Sequence, residues 1–172
     1  LFRNHGMTRD AKLLQRNDGP WYYEMHALGY NYRMTDLQAA LGASQMKKLD
    51  RFVERRRMIA SRYTEAFSDV PGLVVPHQHP QAESSWHLYV LRWEHGRDQA
   101  FEQLRSRNIG VNLHYIPVYK QPYYQSLGYA DGQCPHAENY YKTALSLPLF
   151  PRMTDADIED VIGEVCDIAR KG

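Results

Sequence analysis

From Asp36 to Phe67 the chain runs without a proline, and its apolar residues keep largely to helical spacing. Leu37, Ala40, Leu41, Leu49, Phe52, Val53, Ile59, Tyr63 and Phe67 fall on that period. Thr35 is a good N-cap, Gln38 three residues on completes a capping box, and Asp36 places negative charge in the first turn. The spacing predicts a single helix over 36–67, roughly 48 Å long at 1.5 Å per residue. Such a strut limits the rest of the chain to packing along it, and Pro71-Gly72 ends the run.

The residues before the cap are polar and aromatic: Gly29-Tyr30-Asn31-Tyr32-Arg33-Met34. Asn31 and Arg33 precede a helix N-terminus, where free N–H groups and the positive dipole end favour an anion. An amide and a guanidinium there suit a phosphate. Local chemistry alone favours a different reading, with Asn31 shaping a turn and Arg33 pairing with Asp36.

Bulk charge narrows the partners. A formal net charge of +1 gives no argument for nucleic acid or an anionic membrane. The run Arg55-Arg56-Arg57 lies mid-helix beside Glu54 and reads as a solvated face. With 43% hydrophobic and 24% charged residues the chain suits a globular domain with a proper core. Cys134 and Cys166 have neither CxxC nor metal spacing, and no stretch has the length of a membrane span or the form of a signal peptide. A cytoplasmic location is expected. The opening Leu1-Phe2-Arg3-Asn4-His5-Gly6-Met7 reads as the end of an element begun earlier, so a fragment is expected.

Residues 8–28 read as a polar loop carrying an aromatic knot, Trp21-Tyr22-Tyr23-Glu24-Met25, after the turn signal Asp18-Gly19-Pro20. The knot suits stacking on a sugar or base and equally suits docking onto a core. Beyond the strut, Leu73-Val74-Val75 is a short strand. His77 and His79 sit on a proline-flanked loop without a third ligand, so no metal site is expected. Ser85–Trp93 reads as a central strand, apolar on both faces. Arg97–Arg107 is a helix with Ala100, Phe101 and Leu104 inward, closed by Asn108 and Gly110. Gly110–Tyr115 is a strand leading into a proline-broken loop, with His114 and Tyr115 at its end as candidate site residues; a packed, hydrogen-bonded His114 is the competing account. Pro135–Leu145 is a helix burying Ala137, Tyr140, Tyr141 and Ala144, and residues 146–151 form an extended apolar segment. Thr154 caps a last helix with Ile158, Val161, Ile162, Val165, Ile168 and Ala169 inward. This order implies an α/β chain in the α+β sense, with helices on a short, mostly antiparallel sheet. No self-contained catalytic constellation is present.

Four segments together resemble a known family: Leu1-Phe2-Arg3-Asn4-His5-Gly6-Met7, the G-x-N-x-R-M stretch from Gly29 continuing into Gln38-Ala39-Ala40-Leu41-Gly42, His114-Tyr115-Ile116-Pro117-Val118-Tyr119, and Leu145-Ser146-Leu147-Pro148-Leu149. In this order they are similar to the C-terminal part of the DegT-type nucleotide-sugar aminotransferases, members of the aspartate-aminotransferase-like superfamily that depends on pyridoxal phosphate. The aromatic knot and Tyr119, where many relatives carry histidine, resemble the pseudaminic-acid branch. Those enzymes move an amino group from glutamate to the 4-keto group of a UDP-linked 4-keto-6-deoxy-N-acetylhexosamine.

The resemblance implies a C-terminal domain of the aspartate-aminotransferase-like fold over 35–172. It also implies the end of a large cofactor domain and an active-site crossing loop over 1–34. No catalytic residue is expected in this chain, the Schiff-base lysine lying upstream of Leu1; Lys12, Lys47, Lys48, Lys120, Lys142 and Lys171 match no such position. Asn31 would reach the cofactor phosphate of the other subunit of a homodimer, with Arg33 beside it. Tyr22, Tyr30, His114 and Tyr115 would line the nucleotide-sugar side. Two other functions fit the same residues: a dehydratase of the family with histidine in place of the lysine, and a non-catalytic assembly module.

Overall fold

The computed structural model describes residues 1–171, and the chain divides into two compact units, Leu1–Lys48 and Leu49–Gly172.

In the first unit, β1 (Met7–Thr8) pairs antiparallel with β2 (Glu24–Met25), and α1 spans Asp36–Met46. The opening residues are stitched to the segment before α1. His5 N–H donates to Tyr30 O at 2.9 Å, Tyr30 N–H to Phe2 O at 2.7 Å and Tyr32 N–H to Arg3 O at 3.0 Å. Two glycines permit this close approach. A Cβ on Gly6 would fall 1.7 Å from Ala27 O, and one on Gly29 would fall 2.2 Å from the Gly6 nitrogen. The loop expected over 8–28 thus contains a small strand pair, too short to show a period of two.

The second unit holds α2 (Leu49–Phe67), β3 (Leu73–Val74), β4 (Tyr89–Trp93), α3 (Arg97–Ser106), a 3-10 turn (Val118–Lys120), α4 (Pro122–Ser126), α5 (Pro135–Thr143), β5 (Ala144–Leu147) and α6 (Asp155–Lys171). The sheet runs β3-β4-β5, antiparallel throughout, so β4 is central as its two apolar faces imply. Ile59, Ala60, Tyr63 and Phe67 of α2 enter the core with Ile158, Val161, Val165 and Ile168 of α6, and with Ala100 and Leu104 of α3. Tyr63 is fully buried, stacks near Phe67 and donates its hydroxyl to Pro148 O at 2.9 Å.

Both predicted caps form. Thr35 and Gln38 make the reciprocal box at α1. At α6 the Asp157 backbone N–H donates to Thr154 Oγ1 at 3.1 Å, while Thr154 N–H donates to Asp157 Oδ2 at 2.7 Å.

Several boundaries differ from the sequence reading. The strut is two helices: after Met46 the Lys48 N–H donates to Gln45 O at 2.9 Å, an i−3 bond that interrupts the α ladder. No α1 residue is buried, so no packing holds the helix through the adjacent lysines, and Leu37 and Leu41 are exposed. The strand expected from Ser85 begins at Tyr89, because Trp86 takes a left-handed φ of 49° and turns the chain before it. The strand expected over 110–115 is reduced to one antiparallel bridge, Asn112 to Ser146. The helix expected to reach Leu145 stops at Thr143; Ala144 already belongs to β5, while Ala137 and Tyr140 are exposed.

The arginine run is a solvated face only in part: Glu54 and Arg57 are exposed, Arg55 and Arg56 half-buried. Arg55 donates to Met153 O and Asp155, and Arg57 to Ser84 O and Glu83. Arg56 Nη1 spans three carbonyls, Trp86 O at 3.0 Å, His87 O at 3.2 Å and Leu149 O at 3.0 Å. The three side chains pin loops that would otherwise leave α2, and helical spacing alone does not reveal such long-range partners.

Candidate functional site

The predicted site residues fall in different units: Tyr22, Tyr30, Asn31 and Arg33 in the first, His114 and Tyr115 in the second.

In the first unit, Asn31 is exposed and its backbone bridges antiparallel to Asn4. Arg33 is exposed and forms no ion pair with Asp36 among the described residues; it lines a pocket with Asn4, Met7, Thr8, Arg9 and Tyr23. Two guanidiniums, an amide and two hydroxyls meet there without a carboxylate among the lining residues. Asn4 Oδ1, an acceptor, is buried without a hydrogen-bond partner, so only the Nδ2 end of this amide could serve an anion. Such a donor set suits a phosphate, which Arg recognises through its fixed fork. Asn4, Thr8 and Arg9 were not among the residues expected from sequence; Asn4 lies in the opening motif, while Thr8 and Arg9 follow it and carry no local signal.

Tyr30 stacks on Tyr32 with ring centroids 5.1 Å apart. Trp21 and Tyr23 are exposed at the tip of the aromatic loop, and Arg9 lies over the Tyr23 ring. Tyr22 is half-buried and its hydroxyl donates to Glu24 Oε1 at 3.1 Å while accepting from Arg16 Nε at 2.8 Å. It serves as a strut inside the loop rather than as an exposed face.

Glu24 is the hub. Its carboxylate accepts from Gln15 N–H at 2.8 Å, from His26 Nε2 at 2.7 Å and from Arg16 N–H at 3.1 Å. These donors, Gln15 N–H foremost, hold its pKa down at about 2. A folded-state pKa below the unfolded value of about 4.3 gives order that is full above that value and is lost as pH falls through the folded one. Acidification from about pH 4 to 2 is therefore expected to loosen residues 15–26, read as a change in Trp21 emission. The Glu24→Gln variant is expected to show the loosened signal already at neutral pH and to lack the acid step. An unchanged Trp21 signal in that variant would refute the hub.

In the second unit, His114 Nδ1 lies 2.7 Å from Ser146 Oγ, and the His114 and Tyr115 rings meet edge-on at 4.6 Å. Tyr115 is 73% exposed. His77 and His79 lie exposed on their loop, and His79 Nδ1 accepts from Gln81 N–H at 3.2 Å. Tyr119 donates to Glu138 Oε1 at 2.6 Å, and burial, then that carboxylate, pushes its pKa up to about 12.

A chain with this α+β layer and a donor-rich loop ahead of a capped helix has clear relatives. It belongs to the DegT/DnrJ/EryC1/StrS aminotransferase family, whose pattern matches residues 1–166. It is 45% identical to the spore coat polysaccharide biosynthesis protein SpsC of Bacillus subtilis, over 96% of this chain and 44% of that protein. It is 33% identical to a UDP-4-amino-4,6-dideoxy-N-acetyl-beta-L-altrosamine transaminase of Campylobacter jejuni, over 100% of this chain and 45% of that protein. Among solved structures it superposes on Helicobacter pylori PseC, an aminotransferase involved in the biosynthesis of pseudoaminic acid. That match has a TM-score of 0.81 and 28% identity, covering 99% of this chain and 45% of that one. The chain thus spans less than half the length of these relatives. Solved structures of the fold include one in a PLP form and one in a PMP form. No helix among the described residues is long and apolar enough to cross a membrane.

Proposed function

We propose that the whole protein is a pyridoxal-phosphate-dependent nucleotide-sugar aminotransferase. It moves the amino group of glutamate to the 4-keto group of a UDP-4-keto-6-deoxy-N-acetylhexosamine, for surface polysaccharide or glycan biosynthesis in the cytoplasm. The observation that carries the reading is the carboxylate-free donor cluster around Arg33, beside Asn31, in a chain of this family.

The residues present fit the cofactor's phosphate. Asn31 and Arg33 would hold it, with Arg9, Thr8 and Asn4 adjoining. When bound, pyridoxal phosphate supplies the electron sink that lets an amino group leave glutamate and be added to a keto carbon. The rest is placement by this chain's own groups. In a homodimer, Asn31 donates its amide N–H to the phosphate of the neighbouring subunit and Arg33 neutralises its charge. Tyr30 offers a ring face to the nucleotide sugar, Tyr22 stiffens the loop that bears Trp21 and Tyr23, and His114 and Tyr115 address the sugar.

The test is to supply the whole protein with the keto sugar, glutamate and pyridoxal phosphate. Formation of 2-oxoglutarate in step with the amino sugar is expected. Consumption of the keto sugar with loss of water and no glutamate turnover would replace this reading with a dehydratase.

A further inference from the structure

Ser146 sits at the middle of β5 and is held from both sides. Its backbone pairs with Val90 of β4 on one edge. On the other it exchanges hydrogen bonds with Asn112, donating to Asn112 O at 2.8 Å and accepting from Asn112 N–H at 3.1 Å. The residue is 3% exposed, so its side chain has one fixed station in a buried layer. From there Oγ meets His114 Nδ1 at 2.7 Å, and this is the one partner of that hydroxyl among the described residues.

The chemistry of a buried hydroxyl then decides the direction of the bond. If His114 Nδ1–H donated, the Ser146 proton would be left in a buried layer with no acceptor among the described residues, an uncompensated desolvation. If Ser146 O–H donates, nothing is left unpaired, and Nδ1 becomes the acceptor of a neutral ring. The other nitrogen must then carry the proton. His114 Nε2 is neither sealed from solvent nor bonded to any described residue.

We propose that Ser146 is a positioning residue that fixes His114 as the Nε2–H tautomer, so that this ring presents a hydrogen-bond donor to an acceptor oxygen of the nucleotide sugar. The ring is thereby a binding group and not a proton acceptor in the neutral state. Tyr115, edge-on at 4.6 Å, limits its rotation. Only the substrate half of this inference rests on the aminotransferase reading; the tautomer stands on the geometry alone.

The experiment uses the full chain with 15N-labelled histidine, assigned through His114 variants, and reads both ring nitrogens by long-range 1H–15N correlation at a pH where the ring is neutral. The wild-type protein is expected to show an unprotonated Nδ1 and a protonated Nε2. Ser146→Ala is expected to move both signals toward the average of two exchanging tautomers. In the whole enzyme the same variant is expected to raise KM for the nucleotide sugar about tenfold, the worth of one misdirected hydrogen bond, with kcat within about twofold. A wild-type ring protonated at Nδ1, or signals unmoved in Ser146→Ala, would overturn the tautomer assignment. A shifted tautomer with unchanged KM would overturn its role toward substrate. Absence of amine transfer by the wild-type enzyme would remove the aminotransferase reading while leaving the ring signals to decide the Ser146 bond.

Discussion

Arg56→Ala is expected to lower the stability of the second unit by about 3 kcal/mol. The guanidinium closes on Trp86 O, His87 O and Leu149 O, carbonyls of two segments far apart in sequence. Removing it leaves two part-buried acceptors, Trp86 O and Leu149 O, at roughly 1–1.5 kcal/mol each, and the exposed His87 O, which water satisfies at little cost. It also loosens the turn at Trp86, whose left-handed φ of 49° is otherwise held by its N–H donating to Ser84 Oγ at 3.0 Å and by its ring against Tyr89. For a chain of this size about 3 kcal/mol corresponds to a melting temperature lower by about 6–12 °C, measurable by calorimetry. Arg56→Lys is expected to recover only part of the loss, because one ammonium can offer donors to the same carbonyls as Nη1 does, but from a shorter and more flexible stem. Equal melting temperatures for the Ala variant and the wild type would show that water replaces the clamp without cost.

That clamp also marks where sequence reasoning stops. The caps of α1 and α6 were legible because Thr35 with Gln38, and Thr154 with Asp157, satisfy backbone donors within one turn. The inward stripe of α6 was legible because Ile158, Val161, Val165 and Ile168 repeat at the helical period. Arg56 carries no such local signal: its partners lie in other segments, and a three-arginine run beside Glu54 has the composition of a wet surface. The break after Met46 was hidden for the opposite reason. Residues 36–46 have good helical spacing, but nothing in the chain buries that face, so periodicity predicted a packing that the structure does not contain.

The site divides in the same way. Asn31 and Arg33 could be named because they precede a recognisable cap and lie in a motif shared with a family. Asn4, Thr8 and Arg9 could not, since only the pairing of residues 3–5 with 30–32 brings them beside Arg33. Ser146 was read as part of an extended apolar segment, and its bond to His114 depends on the register of β5 against Asn112.

Asn31→Ala in the whole enzyme is expected to weaken pyridoxal-phosphate binding tenfold to a hundredfold. A hydrogen bond to a charged phosphate contributes roughly 1.5–3 kcal/mol, and each factor of ten in affinity is about 1.4 kcal/mol. The fold of the first unit should survive the change, because Asn31 is exposed and is held through its backbone bridge to Asn4 rather than through its side chain. Cofactor affinity, followed by the absorbance of the bound form, is therefore a cleaner measure than melting temperature. A mixed dimer distinguishes the subunit that the residue serves. One subunit carries Asn31→Ala and the other lacks the cofactor lysine expected upstream of Leu1. If Asn31 acts across the interface, both defects fall on one site and the second site is intact, so about half of the activity returns. If Asn31 acts within its own subunit, each site carries one defect and the mixed dimer stays as impaired as its parents. Unchanged cofactor affinity in Asn31→Ala would leave the phosphate to Arg33 and Arg9, the guanidiniums that line the pocket beside it.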